Sequence, residues 1–341
     1  MKNKVKLGDL VNIKTGKLDA NAAVNNGKYP FFTTSEEIFK IDIYAYDDEA
    51  VLVAGNGNLN VKYFYGKFNA YQRTYILTKK VDRKVNMKYI YYFLDKYLNI
   101  LRSLSIGGVI KYIKLENLVN PIFYLPTIEI QNKIVKKLDS LKEILDIQKK
   151  KLDLLSDLNK SLFTRMFGDL KTNDKNWEMS CWKEVLNIKN GRNQKQVEDI
   201  NGKYPIYGSG GIIGYSNAYI CNENTIIIGR KGNINKPILV KEKFWNVDTA
   251  FGLEPMKNRI SYYYLYHFCS FYNFEVHNKA VTIPSLVKSD LEKILIPIPP
   301  IELQNKFADR VEKIEKLSFE IEKSIEEAEN LYNSLMNKYF D

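Results

Sequence analysis

The chain carries nearly the same sequence twice, half a chain apart. Gly27-Lys28-Tyr29-Pro30-Phe31-Phe32 returns in the second half as Gly202-Lys203-Tyr204-Pro205-Ile206-Tyr207. Asn12-Ile13-Lys14-Thr15-Gly16-Lys17 returns at the same offset as Asn187-Ile188-Lys189-Asn190-Gly191-Arg192. Ile128-Glu129-Ile130-Gln131-Asn132-Lys133 returns at a slightly shorter offset as Ile301-Glu302-Leu303-Gln304-Asn305-Lys306. Solenoid units repeat every few tens of residues, so a period near half of 341 residues describes a duplicated globule with its connector. A chain built this way is expected to engage a partner at two related places.

Four segments follow: globules at 1–125 and 169–299 (the latter with its linker), and helical connectors at 126–168 and 300–341. The globules read as short strands and turns. Val51-Leu52-Val53-Ala54 and Thr225-Ile226-Ile227-Ile228 are buried-strand runs that end in Gly/Asn turns. Each globule also carries an aromatic helix, near Met87–Arg102 and Ser261–Phe271. In the first connector Ile134, Leu138, Leu141, Leu145, Gln148, Leu152, Leu155, Asn159, Leu162 and Met166 step by four and three. Phe307, Val311, Ile314, Ser318, Ile321, Ile325, Ala328, Tyr332, Leu335 and Tyr339 repeat those steps. Heptads sustained this long predict a coiled-coil seam, entered at Pro126-Thr127 and Pro299-Pro300 and, in the first helix, closed at Gly168. The expected fold class is α+β: two mixed α/β globules joined by two long antiparallel coiled-coil helices with a pseudo-two-fold internal repeat. That pairing would place the globules at opposite ends of a spacer about 50 Å long. Packing of each helix on its own globule, or pairing between two chains, is the competing arrangement. A second apolar row, Ile144, Ile147, Leu154 and Leu158, either docks a partner or widens the core stripe.

Several function classes are excluded or disfavoured. The basic start of the chain lacks the apolar run of a signal peptide, and no stretch approaches a membrane span. Cys181, Cys221 and Cys269 form neither paired spacing nor a zinc motif, which suits a reducing cytoplasm. Asn120-Pro121-Ile122-Phe123 approaches the tetrad of amino-methyltransferases but lacks its second proline, is expected to open a helix, and follows no glycine-rich cofactor loop. Gly208, Gly210, Gly211 and Gly214 lack dinucleotide spacing and read as a loop. His267 and His277 have no triad partners and read as core or surface residues. No catalytic machinery, metal cluster or cofactor site is visible.

Charge points toward a polyanion. Residues 301–341 hold six Lys/Arg against ten Asp/Glu, leaving 45 and 30 of the chain's 51 and 40 in residues 1–300. A basic body gains affinity for nucleic acid by counterion release. Arg and Lys can grip guanine edges, Asn and Gln adenine edges, and all of them phosphates. The candidates cluster in turns at matching places: Lys14, Lys17, Asn56, Asn58, Lys62, Tyr71, Gln72 and Arg73 in the first half. Lys189, Arg192, Lys195, Arg230, Lys231, Asn233 and Lys236 are their counterparts in the second.

At this point the chain resembles the specificity subunit of type I restriction–modification systems. The residues that carry the likeness are Leu7-Gly8-Asp9-Leu10 leading to Gly16, the two Gly-Lys-Tyr-Pro motifs, and Gln72-Arg73-Thr74. The proline-to-helix junctions ending in Gln131-Asn132-Lys133 and Gln304-Asn305-Lys306 add to it, as does Ser161-Leu162-Phe163 through Phe167-Gly168-Asp169. The resemblance implies two target recognition domains, each reading one half of a bipartite, asymmetric site on double-stranded DNA. It implies helices that bind two modification (methyltransferase) subunits, with restriction subunits that translocate and cut DNA joining them. S-adenosylmethionine, ATP and magnesium would belong to those partners; a homodimer in their absence is the alternative that pairing between two chains leaves open. A nuclease or methyltransferase with its own recognition domains, and a coiled-coil scaffold that binds no DNA, are the competing readings.

Overall fold

The computed structural model describes residues 3–280 and 282–341. The chain divides into two compact units, residues 1–149 with 323–341 and residues 150–322. In the first unit a six-stranded sheet runs in the order Val11–Thr15, Thr74–Lys79, Tyr46–Ala54, Val61–Ala70, Tyr29–Phe32, Ile38–Ile41. All neighbours pair antiparallel except Tyr29–Phe32 with Val61–Ala70, which are parallel. The second unit repeats this order with a break. The place of the ten-residue strand Val61–Ala70 is taken by two shorter ones, Ile238–Val240 and Trp245–Asn246. The sheet therefore splits into four strands (Leu186–Asn190, Ala250–Pro255, Thr225–Gly229, Ile238–Val240) and three (Gly211–Ser216, Tyr204–Gly208, Trp245–Asn246).

The central strand of each unit is buried on both faces, and its period of two divides the core. Val51 and Val53 pack with the aromatic helix Met87–Leu104, while Ala50 and Leu52 join Phe32, Phe68, Ala70 and Ile76 in a separate cluster. Ile226 and Ile228 likewise face the helix Tyr262–Phe271, and Ile227 turns toward Cys221, Val240 and Phe244. Asn86 caps the first helix by accepting from the N–H groups of Lys88 and Tyr89, and Ser261 caps the second from Tyr264.

Two strand ribbons also repeat. Asn3–Lys6 pairs with Ile122–Leu125, and Glu178–Cys181 with Leu295–Ile298, both antiparallel. The first corrects the sequence reading at Asn120-Pro121-Ile122-Phe123: no helix opens there. Pro121 offers only a carbonyl, which accepts from Leu7 N at 2.9 Å. Ile122 is exposed and Phe123 buried, the alternation of a half-buried strand. The glycine cluster is corrected too, because Gly208, Gly211 and Gly214 lie within paired strands rather than a loop.

Both long helices, Ile128–Phe167 and Ile301–Phe340, run 40 residues, about 60 Å each. Within each unit they are antiparallel. In the first, Lys149 meets Glu329 at 3.0 Å, and Leu138 shares a cluster with Tyr332, Leu335 and Met336. In the second, Phe163 and Phe167 contact Phe307 at ring separations of 5.6 and 5.2 Å. Ile134, Leu138, Leu145, Phe307, Val311 and Ile321 are buried, while Leu141, Leu152, Leu155, Leu162, Ile314, Ile325 and Leu335 are half-buried. Near the helix ends the stripe broadens: Phe163 and Met336 are more deeply buried than their neighbours Leu162 and Leu335, because there a helix packs on a globule as well as on its mate. The first helix ends where Gly168 enters the left-handed region at φ 85°.

Candidate nucleic-acid interface

In each unit, loops from distant parts of the sequence are stitched into one face by their backbones. The turn after the central strand is the hub. In the first unit Gly55 N donates to Arg73 O (2.8 Å), Gly57 N to Lys111 O (2.9 Å), and Ile113 N returns to Gly55 O (2.9 Å). In the second unit Arg230 N donates to Thr249 O (2.8 Å), Gly232 N to Pro284 O (3.0 Å), and Leu286 N to Arg230 O (2.9 Å). The scaffold is the same, donor for donor, at corresponding positions of the repeat. Gly57 and Gly232 both occupy positive φ, 69° and 80°, a region that disfavours a side chain.

Side chains on this common scaffold differ. Arg73 stands on the turn facing Gly55, whereas in the second unit the arginine is on the hub itself, Arg230, and Asp248 and Thr249 face it. The Arg230 guanidinium lies 5.8 Å from the Phe251 ring and donates to Asp248 O at 3.5 Å. Gln72 Nε2 donates to Asp19 (2.9 Å), which ties its turn to the Leu18 segment, and Tyr71 bridges Leu18. Asn58 Nδ2 donates to Glu36 (2.9 Å) and Lys62 Nζ to Ser35 O (2.6 Å), drawing in the hairpin tip at 33–37. Burial lowers the Lys62 pKa, with Glu36 partly opposing. Asn56 forms a bridge to Tyr112.

Not every candidate lies in a turn, as the sequence had suggested. Lys14, Lys62 and Lys189 are in strands, where the alternation of faces sets their direction. Lys189 is paired with Glu254 at 3.5 Å. Lys17, Arg192, Lys195, Lys231, Asn233 and Lys236 are exposed in connecting segments. The Arg192 backbone is fixed by Asn246 O (3.0 Å) and by the Trp245 indole, which donates to Arg192 O (2.9 Å). Sequence reasoning missed the segments at 105–113 and 282–286 that brace the hub. The first has Gly107-Gly108 as a local signal and the second has no such glycine pair, and the contact of each with its hub joins segments far apart in the chain.

Along the long helices Ile144, Ile147, Leu154 and Leu158 are all exposed, and so are Leu317 and Leu331, the repeat counterparts of Ile144 and Leu158. The histidines take no part in the loop face. His267 is buried against Phe307 (5.0 Å) and Phe163 (5.9 Å), and His277 Nε2 lies 2.7 Å from the Tyr272 hydroxyl. Among the described residues no group of His, Cys, Asp and Glu could hold a metal ion, and no helix is long and apolar enough to cross a membrane.

Comparison with known proteins gives a consistent result. The family model for the type I restriction modification DNA specificity domain matches twice, over residues 2–156 and 174–329. The type I restriction enzyme EcoDI specificity subunit of Escherichia coli is 29% identical over 392 residues, covering 98% of this chain and 87% of that protein. The type I restriction enzyme MjaVIII specificity subunit of Methanocaldococcus jannaschii is 21% identical, covering 98% and 90%. In fold, the chain is similar to the crystal structure of a type I restriction–modification S subunit from M. genitalium. The TM-score is 0.73 at 19% identity, covering 100% of this chain and 96% of that one.

Proposed function

Because the chain belongs to the type I restriction modification DNA specificity family, we propose that each unit reads one half of a bipartite, asymmetric DNA site through its loop face. The chain is the specificity component of such a system and contributes no catalysis of its own. It works with DNA and with other restriction–modification subunits. Two modification subunits would dock on the long helices, with Ile144, Ile147, Leu154 and Leu158 on the first and Leu317 and Leu331 on the second as their apolar contacts. Restriction subunits would join through them.

The observation that carries this reading is the pairing of a constant backbone with variable side chains. The hub hydrogen bonds recur in both units, yet arginine stands on opposite turns. A scaffold held fixed while its presented donors change suits two different half-sites on one kind of helical ligand. Phosphate contacts from residues such as Lys17 and Lys236 would position the duplex, and Arg73, Arg230 and the asparagines would read base edges.

Footprinting of the chain assembled with its modification subunits tests the proposal. Two protected half-sites separated by bases whose identity is irrelevant are expected, with affinity falling steeply as salt rises. Protection of a single continuous site would defeat the two-unit reading.

A further inference from the structure

The loop that braces the first hub ends in an apolar tip. Ile106 and Tyr112 exchange both backbone hydrogen bonds at 2.9 Å, so residues 107–111 project as a closed hairpin end. Val109 is fully exposed and Ile110 is 62% exposed. Single exposed hydrophobics are ordinary on protein surfaces; rigidity, place and recurrence set this one apart. The hairpin is tied to the hub through Lys111 O and Ile113 N, beside the turn that carries Asn56 and Asn58. In the second unit Ile283 is the repeat counterpart of Ile110 and is 59% exposed. Its loop is tied to the hub in the same way, through Pro284 O and Leu286 N. Lys111 has become proline and Val109 threonine, while the isoleucine remains. Asn58 likewise remains, as Asn233, on the neighbouring turn.

We propose that Ile110, with Val109, reads thymine in the first half-site by apolar contact with its C5-methyl group, and that Ile283 does the same in the second. The inference deepens the DNA-recognition reading and rests on it. The thymine methyl is the one apolar group that a base pair presents in the major groove, and adenine offers N6 and N7 on the other strand. An isoleucine tip beside an asparagine matches both sides of one A·T pair. Asn58 gives one amide hydrogen to Glu36 and keeps a second hydrogen and its carbonyl oxygen for adenine. Because the tip is held by backbone bonds, little ordering opposes the contact.

Deoxyuridine provides the test, since it removes only the methyl and leaves every hydrogen-bonding group. The full chain, assembled with its modification subunits, is titrated with target duplexes in which each thymine is replaced in turn. At one or more positions of the first half-site, deoxyuridine should weaken binding roughly 3- to 10-fold. The double substitution Val109→Ser with Ile110→Ser should weaken binding to the thymine duplex comparably and abolish the difference between the two duplexes. Indifference of the unaltered complex to deoxyuridine throughout that half-site would overturn the proposal. So would losses that multiply rather than merge, or a variant that loses its modification subunits and keeps its thymine preference. The deoxyuridine titration uses unaltered protein, so it stands whatever the substitutions do to folding. If the unaltered complex selected no duplex at all, the recognition reading itself would fall.

Discussion

At the scale of single residues, the repeated motifs resolve into packing requirements. In Gly-Lys-Tyr-Pro the glycine lies flat on the neighbouring strand. A Cβ on Gly27 would run into the backbone of Ile41, and one on Gly202 into that of Ser216. The tyrosine packs at a steep angle against a second ring at 5.0 Å in both units, Tyr29 with Tyr44 and Tyr204 with Tyr219. The motif was legible in the sequence; its reason needed the strand beside it. His267 supplies a prediction at this scale. Burial among aromatic rings lowers its pKa to about 4, with Glu315 weakly opposing, whereas the unfolded chain binds that proton near 6.5. Between those values the unfolded state holds more protons, so stability falls as pH drops from about 6.5 to about 4, by up to about 3 kcal/mol from this residue. His267→Phe should flatten that part of the profile; urea midpoints measured across the window check it.

At the scale of elements, the shared Gln-Asn-Lys motif is a clip. Gln131 and Gln304 are fully buried. Gln131 accepts from Asn86 N (2.9 Å) and donates to Pro126 O (2.8 Å), while Gln304 accepts from Ser261 N (2.8 Å) and donates to Pro299 O (2.8 Å). One side chain thus joins the entry of a long helix to the cap of the aromatic helix. Gln131→Ala or Gln304→Ala leaves a backbone donor and acceptor at that junction, most of them partly buried, without partners. Each should cost its own unit about 1–3 kcal/mol, visible as a lowered denaturation midpoint and faster amide exchange at that aromatic-helix cap. Heptad spacing marked both helices and their seam, and the prolines marked their entries; the helices run somewhat longer than the roughly 50 Å that the heptads alone suggested. The spacing did not separate Phe163 from Leu162 or Met336 from Leu335, because the globule as well as the other helix selects the buried face. Nor did it show how the copies differ beside the seam. Lys142 donates to Tyr91 at 2.7 Å among the rings of Tyr91, Tyr92 and Tyr332, whereas Glu315, its repeat counterpart, accepts from Lys241 and Tyr263.

At the scale of the whole molecule, duplication implies modular reading. Arg73→Ala should alter recognition only in the first half-site, and Arg230→Ala only in the second. A lost base-edge contact costs about 1–3 kcal/mol and relaxes one position, whereas a lost phosphate contact weakens all sequences alike. Sequencing methylated adenines in a host that expresses each variant with its modification subunits gives the readout. An Arg73 variant that changed the second half-site would contradict modularity.

The sequence by itself determined the duplicated plan, the strand cores, and the start of both long helices and the stop of the first. These depend on hydrophobic period and on Pro and Gly at fixed places, which are local signals. It also pointed to the turns that hold Arg73, Arg230 and the asparagines. Only the tertiary structure decided which loops share a face. The bonds that build the hub join Gly55 to Arg73 and Ile113, and Arg230 to Thr249 and Leu286. Backbone groups make those bonds, and backbone is common to every residue, so no side-chain pattern in the sequence announces them.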